Sequence, residues 1–247
     1  MSRQRSSYDS IREATDNKTR YSGHGSSAGI AGYRDSGDIT HGPGDFLSQA
    51  GATRVISIAE GHFEKLDIHL SWNNIVVESR GFFGRLFGKL TKTGIDLDLA
   101  CLYELKNGDR GCIQGFGELF GAADQPPYIH HLGDERTGNT QGADEVMQVG
   151  GAYWENIKRL LVYTYVYQGP TRWSLIKPEM RLEIPDQIPM IVTPGIARDD
   201  LAIVALATIE NLDGGVRLTN HSEYFSSQPA MDRAFGYGLR WEDGSKV

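Results

Sequence analysis

Cysteine is scarce: Cys101 and Cys112 are the only two in 247 residues. Two thiols cannot staple a small secreted scaffold, and no Cys-x-x-Cys pair offers a zinc or dithiol site. Long apolar runs are missing as well. No stretch approaches the ~18 apolar residues of a membrane span, and the opening "MSRQRSSYDS" lacks an apolar leader core. These absences lead us to expect a soluble cytoplasmic protein with reduced thiols and no transmembrane segment. Positive charge is in the minority, with 25 Lys and Arg against 32 Asp and Glu and a net charge of −7. Nucleic-acid binding runs on the opposite balance, so no nucleic-acid partner is expected, whereas surplus carboxylates suit divalent cations. His-Glu-x-x-His, Gly-x-Ser-x-Gly and phosphate-loop patterns are absent. "GFGELFGAAD" begins Gly-x-Gly but lacks the third glycine and any strand-helix-strand setting, so it reads as a turn.

What is present divides the chain in two. Residues 1–50 are rich in Ser, Gly, Asp and Arg and carry no sustained period. Such a segment cannot bury enough apolar surface to offset its ordering entropy, and it is read as a flexible tail. Residues 51–247 read as one domain built of strands. "KLDIHLSW" sends Leu66, Ile68, Leu70 and Trp72 to one face and Asp67, His69 and Ser71 to the other. "IDLDLACLYEL" repeats that period of two over eleven residues. "RVISI", "EVMQV", "RLLVYTYVY", "EMRLEIP", "DLAIVALATIEN" and "GVRLTNHSEYF" supply further strands. Asn107-Gly108 signals a hairpin; a two-residue turn there pairs Tyr103 with Cys112 and puts Cys101 and Cys112 on one face. Two short helical stretches are expected, at "GAYWENIKR" and "PAMDRAFGYG", the latter with Pro near its start and Gly after its end. Many strands with few helices make an all-β fold, mainly an antiparallel β-sandwich with one or two short helices.

Two acidic elements stand out. Asp96 and Asp98 lie two apart on a strand, so both project from one face, about 7 Å from each other. They repel unless a cation lies between them, or unless they simply line a solvated strand face. "HLGDERTGNTQGADEV" then offers Asp134, Glu135, Asp144 and Glu145 among three glycines. Carboxylates and carbonyls converging in a glycine-rich loop match the six to eight oxygen ligands that Ca²⁺ takes. Asp134 and Glu145 stand at the ends of a twelve-residue span, but Asn139 occupies the obligatory glycine position of an EF-hand and strand patterns flank the loop. An ordinary acidic surface loop is the alternative.

These stretches resemble the TerD family of tellurium-resistance and general stress proteins. "IDLDLACLYEL" is similar to the family's DLDAS strand, and "HLGDERTGNTQGADE" to its H-x-G-D-N-x-T-G loop followed by G-D-D-E. "GAYWENIKRLLVYTYVY" is similar to its turn-and-strand segment. The long N-terminal segment and "PPYIHHLGDERTG" lean towards the TerA-type branch. The resemblance spans about Thr53 to Val247. It implies a calcium-binding β-sandwich that is not an enzyme, with metal oxygens from Asp96, Asp98, Asp134, Asp144 and Glu145 and carbonyls near Thr137 and Gly142. It also implies partners among other Ter proteins, one of them membrane-embedded. Two positions depart from the pattern: Glu135 replaces Asn, and Ala143 replaces the first Asp of G-D-D-E.

"RGFFGRLFGKLTK" sets Phe83, Leu86, Phe87 and Leu90 at helical spacing among Arg80, Arg85, Lys89 and Lys92. The simpler reading packs the aromatics on the sandwich. Exposed, Phe82, Phe83, Leu86 and Phe87 would meet a partner or an anionic membrane surface. His130 and His131 point to opposite faces, which suits no single metal, and His131 is read as structural. Three rivals to the calcium scaffold remain. They are a metal-dependent hydrolase with His131 as base, an interaction module with a degenerate metal site, and a carbohydrate or nucleotide binder that uses the ion.

Overall fold

The structure, a computed structural model, describes residues 44–58, 63–73, 76–79, 91–134 and 145–241. In chain order the strands are β1 (Asp45–Leu47), β2 (Thr53–Ser57), β3 (Lys65–Ser71), β4 (Val76–Ser79), β5 (Thr91–Gly94), β6 (Asp96–Leu105), β7 (Arg110–Gln114) and β8 (Gly121–Ala122). They continue as β9 (Ile129–Asp134), β10 (Glu145–Gly150), β11 (Ile157–Gln168), β12 (Glu179–Glu183), β13 (Met190–Val192), β14 (Ile203–Leu212) and β15 (Gly215–Phe225). One sheet runs β1-β13-β12-β3-β10-β9-β8, a second runs β2-β15-β14-β11-β6-β7, and β4 pairs with β5. All pairings are antiparallel except β1 with β13. Helices are short: α1 (Trp173–Ile176), α2 (Gln228–Phe235), and 3₁₀ turns at Phe116–Glu118 and Gly151–Asn156. The fold is all-β, and among the described residues no helix is long and apolar enough to cross a membrane.

The core follows from alternation. Leu66, Ile68 and Leu70 of β3 face Leu97, Leu99 and Cys101 of β6 across one cluster filled from both sheets. The second sheet is also covered outside. Leu161, Tyr163 and Tyr165 alternate with the inward Leu160, Val162 and Val166 of β11, and both sets are buried. That is why "RLLVYTYVY" reads as a near-continuous apolar run. The outer cover is α2 and the chain after it. Ser227 Oγ accepts from the Ala230 amide at 3.3 Å, and Gly236, at φ 68°, ends the helix. The Asp232 carboxylate then accepts from the Gly238 and Leu239 amides and from Trp241 Nε1, at 2.7–2.9 Å, which lays the tail down.

Three readings change. The β6–β7 turn holds three residues: Leu105 pairs with Asp109, and Gly108 takes the left-handed φ of 94° that closes such a loop. The register therefore shifts by one, to Leu102↔Cys112 and Tyr103↔Gly111, and the two cysteines lie on opposite faces. Both thiols are free. Second, β1 falls inside the stretch read as tail, because three residues gain a ladder from β13 that no periodicity announces. Third, β9 and β10 take both ends of the segment read as a loop. Residues 1–43, and the segment 80–90 with Phe82, Phe83, Leu86 and Phe87, lie outside the described residues; 80–90 joins β4 to β5.

Candidate functional site

The acidic pair opens β6. Leu97 and Leu99 are fully buried while Asp96 and Asp98 are half-buried on the opposite face, as alternation requires. Across the ladder Asp98 sits opposite Tyr165 and Asp96 opposite Gln168. Facing pairs share a side of the sheet, and the Tyr165 hydroxyl donates to Asp98 Oδ2 at 2.7 Å. Burial, followed by the charge and hydrogen bond of Asp98, pushes the Tyr165 phenol well above its usual pKa, so it stays a donor.

The loop motif arrives from the other sheet. Asp134 and Glu145 face each other at the end of the β9–β10 ladder and close the connection 135–144. Glu145, 3% exposed, turns inward and accepts a hydrogen bond from the Leu99 amide. His131 Nε2 meets the Leu99 carbonyl at 3.1 Å and lies 3.8 Å from Glu145 Oε2. Its Nδ1 accepts from the Gly133 amide at 3.1 Å, so the proton belongs on Nε2. The cause is topological. The β6–β7 ladder stops at Ala100↔Gln114, one residue short of Leu99. Buried peptide groups need partners, and here side chains of the opposite sheet supply them.

Of the seven residues read as metal ligands, Asp98 and Glu145 flank a single peptide, Asp134 faces Glu145 and Asp96 lies two residues before Asp98. Thr137, Gly142 and Asp144 lie outside the described residues. Among the described residues, no three His, Cys, Asp or Glu side chains gather closely enough to hold a metal by themselves. The donors in question are oxygens only, a set that fits a hard cation such as Ca²⁺. One oxygen of Glu145 is committed to Leu99 and one of Asp98 to Tyr165. Neither Tyr165 nor the Leu99 peptide was singled out from sequence. Both depend on cross-strand register, which no local pattern encodes.

Two other features bear on chemistry. A cleft of about 590 Å³ is lined by Asn73, Trp173, Lys177, Glu179, Thr193 and Tyr224, among others, but not by Asp96, Asp98, His131 or Glu145. Neither thiol is prepared as a nucleophile. Burial raises Cys101 well above its usual pKa, and pushes Cys112, 3.3 Å from the Tyr163 hydroxyl, up to about 12.

No family model matches the chain. A curated relative, the tellurium resistance protein TerA of Alcaligenes sp, is 33% identical over 204 residues, covering 81% of this chain and 59% of that protein. The chain thus spans less than two thirds of that relative's length.

Proposed function

The chain is a TerA-like relative within the Ter family, and from that premise we propose that it is a calcium-binding, non-enzymatic scaffold acting in tellurium resistance and stress response in the cytoplasm. The observation that carries the calcium reading is the meeting of two distant acidic elements at one peptide. Asp98 precedes the Leu99 amide, and Glu145, at the root of the 135–144 connection, accepts from it. Asp96, Asp98, Asp134 and Asp144 would hold the cation, with carbonyls near Thr137 and Gly142. Bound there, Ca²⁺ would offset the carboxylate charge and tie the loop to the strand. Glu145 and His131 meanwhile fix the base of the loop to β6, so an ordered loop would present a defined surface to other Ter proteins, including a membrane-embedded one.

A second reading, an interaction module with a degenerate metal site, is favoured by Ala143, which removes one carboxylate, and by the inward turn of Glu145. A hydrolase using His131 as base is not favoured, because both ring nitrogens are engaged with backbone groups and the cleft lies elsewhere. Calorimetric titration of the metal-stripped chain with Ca²⁺ separates the readings. Saturable heat in the wild type, lost in an Asp98→Asn/Asp144→Asn double variant, is the expected result. A silent wild type with an intact fold would leave the degenerate-site reading standing.

A further inference from the structure

We propose that Tyr165 is a positioning residue for cation binding: from the neighbouring strand, its hydroxyl donates to Asp98 and so fixes the orientation of the carboxylate. This rests on the calcium reading above and adds to it a residue that does not itself ligate. The placement is built into the sheet, since Tyr165 and Asp98 are ladder partners on the outer face of β11 and β6. The Tyr165 side chain is 2% exposed and is clamped in the outer cluster with Tyr163, Ala202 and Ile203. Its hydroxyl is the polar tip of an otherwise apolar body, and at 2.7 Å it meets a half-buried carboxylate rather than a backbone carbonyl. A fully packed ring therefore holds a half-buried acid. Carboxylates that ligate metals are themselves commonly hydrogen-bonded, and losing such a partner costs about 10–100-fold in affinity. The gain comes from orienting the acid before the ion arrives, so that less freedom is lost on binding.

The test is calcium titration of four full-length chains: wild type, Tyr165→Phe, Asp98→Asn and the double variant, each with its melting temperature. Phe keeps the packed ring and removes only the hydroxyl. We expect Tyr165→Phe to raise the Ca²⁺ Kd about tenfold or more, and to have no further effect once Asp98 is Asn. An unchanged Kd in Tyr165→Phe overturns the role of Tyr165 while leaving the calcium reading intact. A weakening of equal size in the Asp98→Asn background shows that the tyrosine acts through general stability, and also overturns it. No binding by the wild type removes both proposals. Should Tyr165→Phe not fold, ring-labelled tyrosine NMR of the wild type decides: the Tyr165 signals must move on Ca²⁺ saturation, and fixed signals overturn the proposal.

Discussion

Glu104 is 2% exposed and anchors three cations. Lys158 Nζ and Arg110 Nη2 lie 2.9 Å from Oε1, and Arg159 Nε lies 2.7 Å from Oε2. Burial works against its ionisation, but hydrogen bonds from Lys158 and Arg159 and the charges of Arg159 and Arg110 outweigh it and hold the pKa at about 2. Because this folded-state value lies below the ordinary 4.5, the contribution to stability is complete above about pH 4.5 and fades as pH falls towards 2. Glu104→Gln leaves the cations facing a neutral group, and we expect a loss of about 3 kcal/mol at pH 7 by urea unfolding. That is the lower end of the range for a broken buried pair, since Lys158 and Arg110 are roughly half exposed. The gap between variant and wild type should narrow at pH 3; a constant gap would mean that the charge is not what matters. None of this was legible in "LYELKNGDRG". That Asp96 and Asp98 share a face could be read from two residues, whereas Lys158 and Arg159 on Glu104, and Tyr165 on Asp98, come from a strand 50 or more residues away, and even Arg110 meets Glu104 only in the register the turn length sets.

At the scale of elements, legibility followed length. The alternation of β3 and β6, the apolar run of β11 and the Pro and Gly bracketing α2 each repeat a signal several times, and the structure bears them out. β1, β13 and β8, with two or three residues each, contain less than two full alternations and exist because a neighbour's edge pairs with them. The β6–β7 register moved by one because Asn107-Gly108 announces a turn without fixing its length. α2 illustrates an end effect of measurable size. Ser227 Oγ accepts from a first-turn amide that has no partner inside the helix itself, so Ser227→Ala should cost about 1 kcal/mol by denaturant midpoint. Ser227→Asp, which can cap equally well, should restore it; if both variants match wild type, the cap is not contributing.

For the whole molecule, the C-terminal segment works as a third layer on part of the second sheet. Arg159 donates to the Phe235 and Gly236 carbonyls and lies 4.2 Å over the Tyr237 ring, while Arg110 donates to the Tyr237 carbonyl. Glu104 holds both arginines, so the buried acid of β6 also fastens the tail. Met231 and Tyr237, both fully buried, cover Leu102, Leu161 and Tyr163. Truncation after Ser227 would bare this apolar face. We expect strong binding of a hydrophobic dye, concentration-dependent association and a large fall in melting temperature. A truncated chain that stays monomeric, dye-silent and melts with the wild type would refute the layer's role.

The grip on Leu99 has a mechanical consequence. A sandwich held by apolar contact alone lets its two leaves slip by fractions of an ångström, because such contacts have little direction. Here His131 and Glu145 reach across the gap and seize both backbone polar groups of one residue, Leu99, forming a crossbar that resists shear where β9 ends and β10 begins. Any tug on the root of the 135–144 connection is therefore delivered to the backbone on either side of Leu99, directly after Asp98.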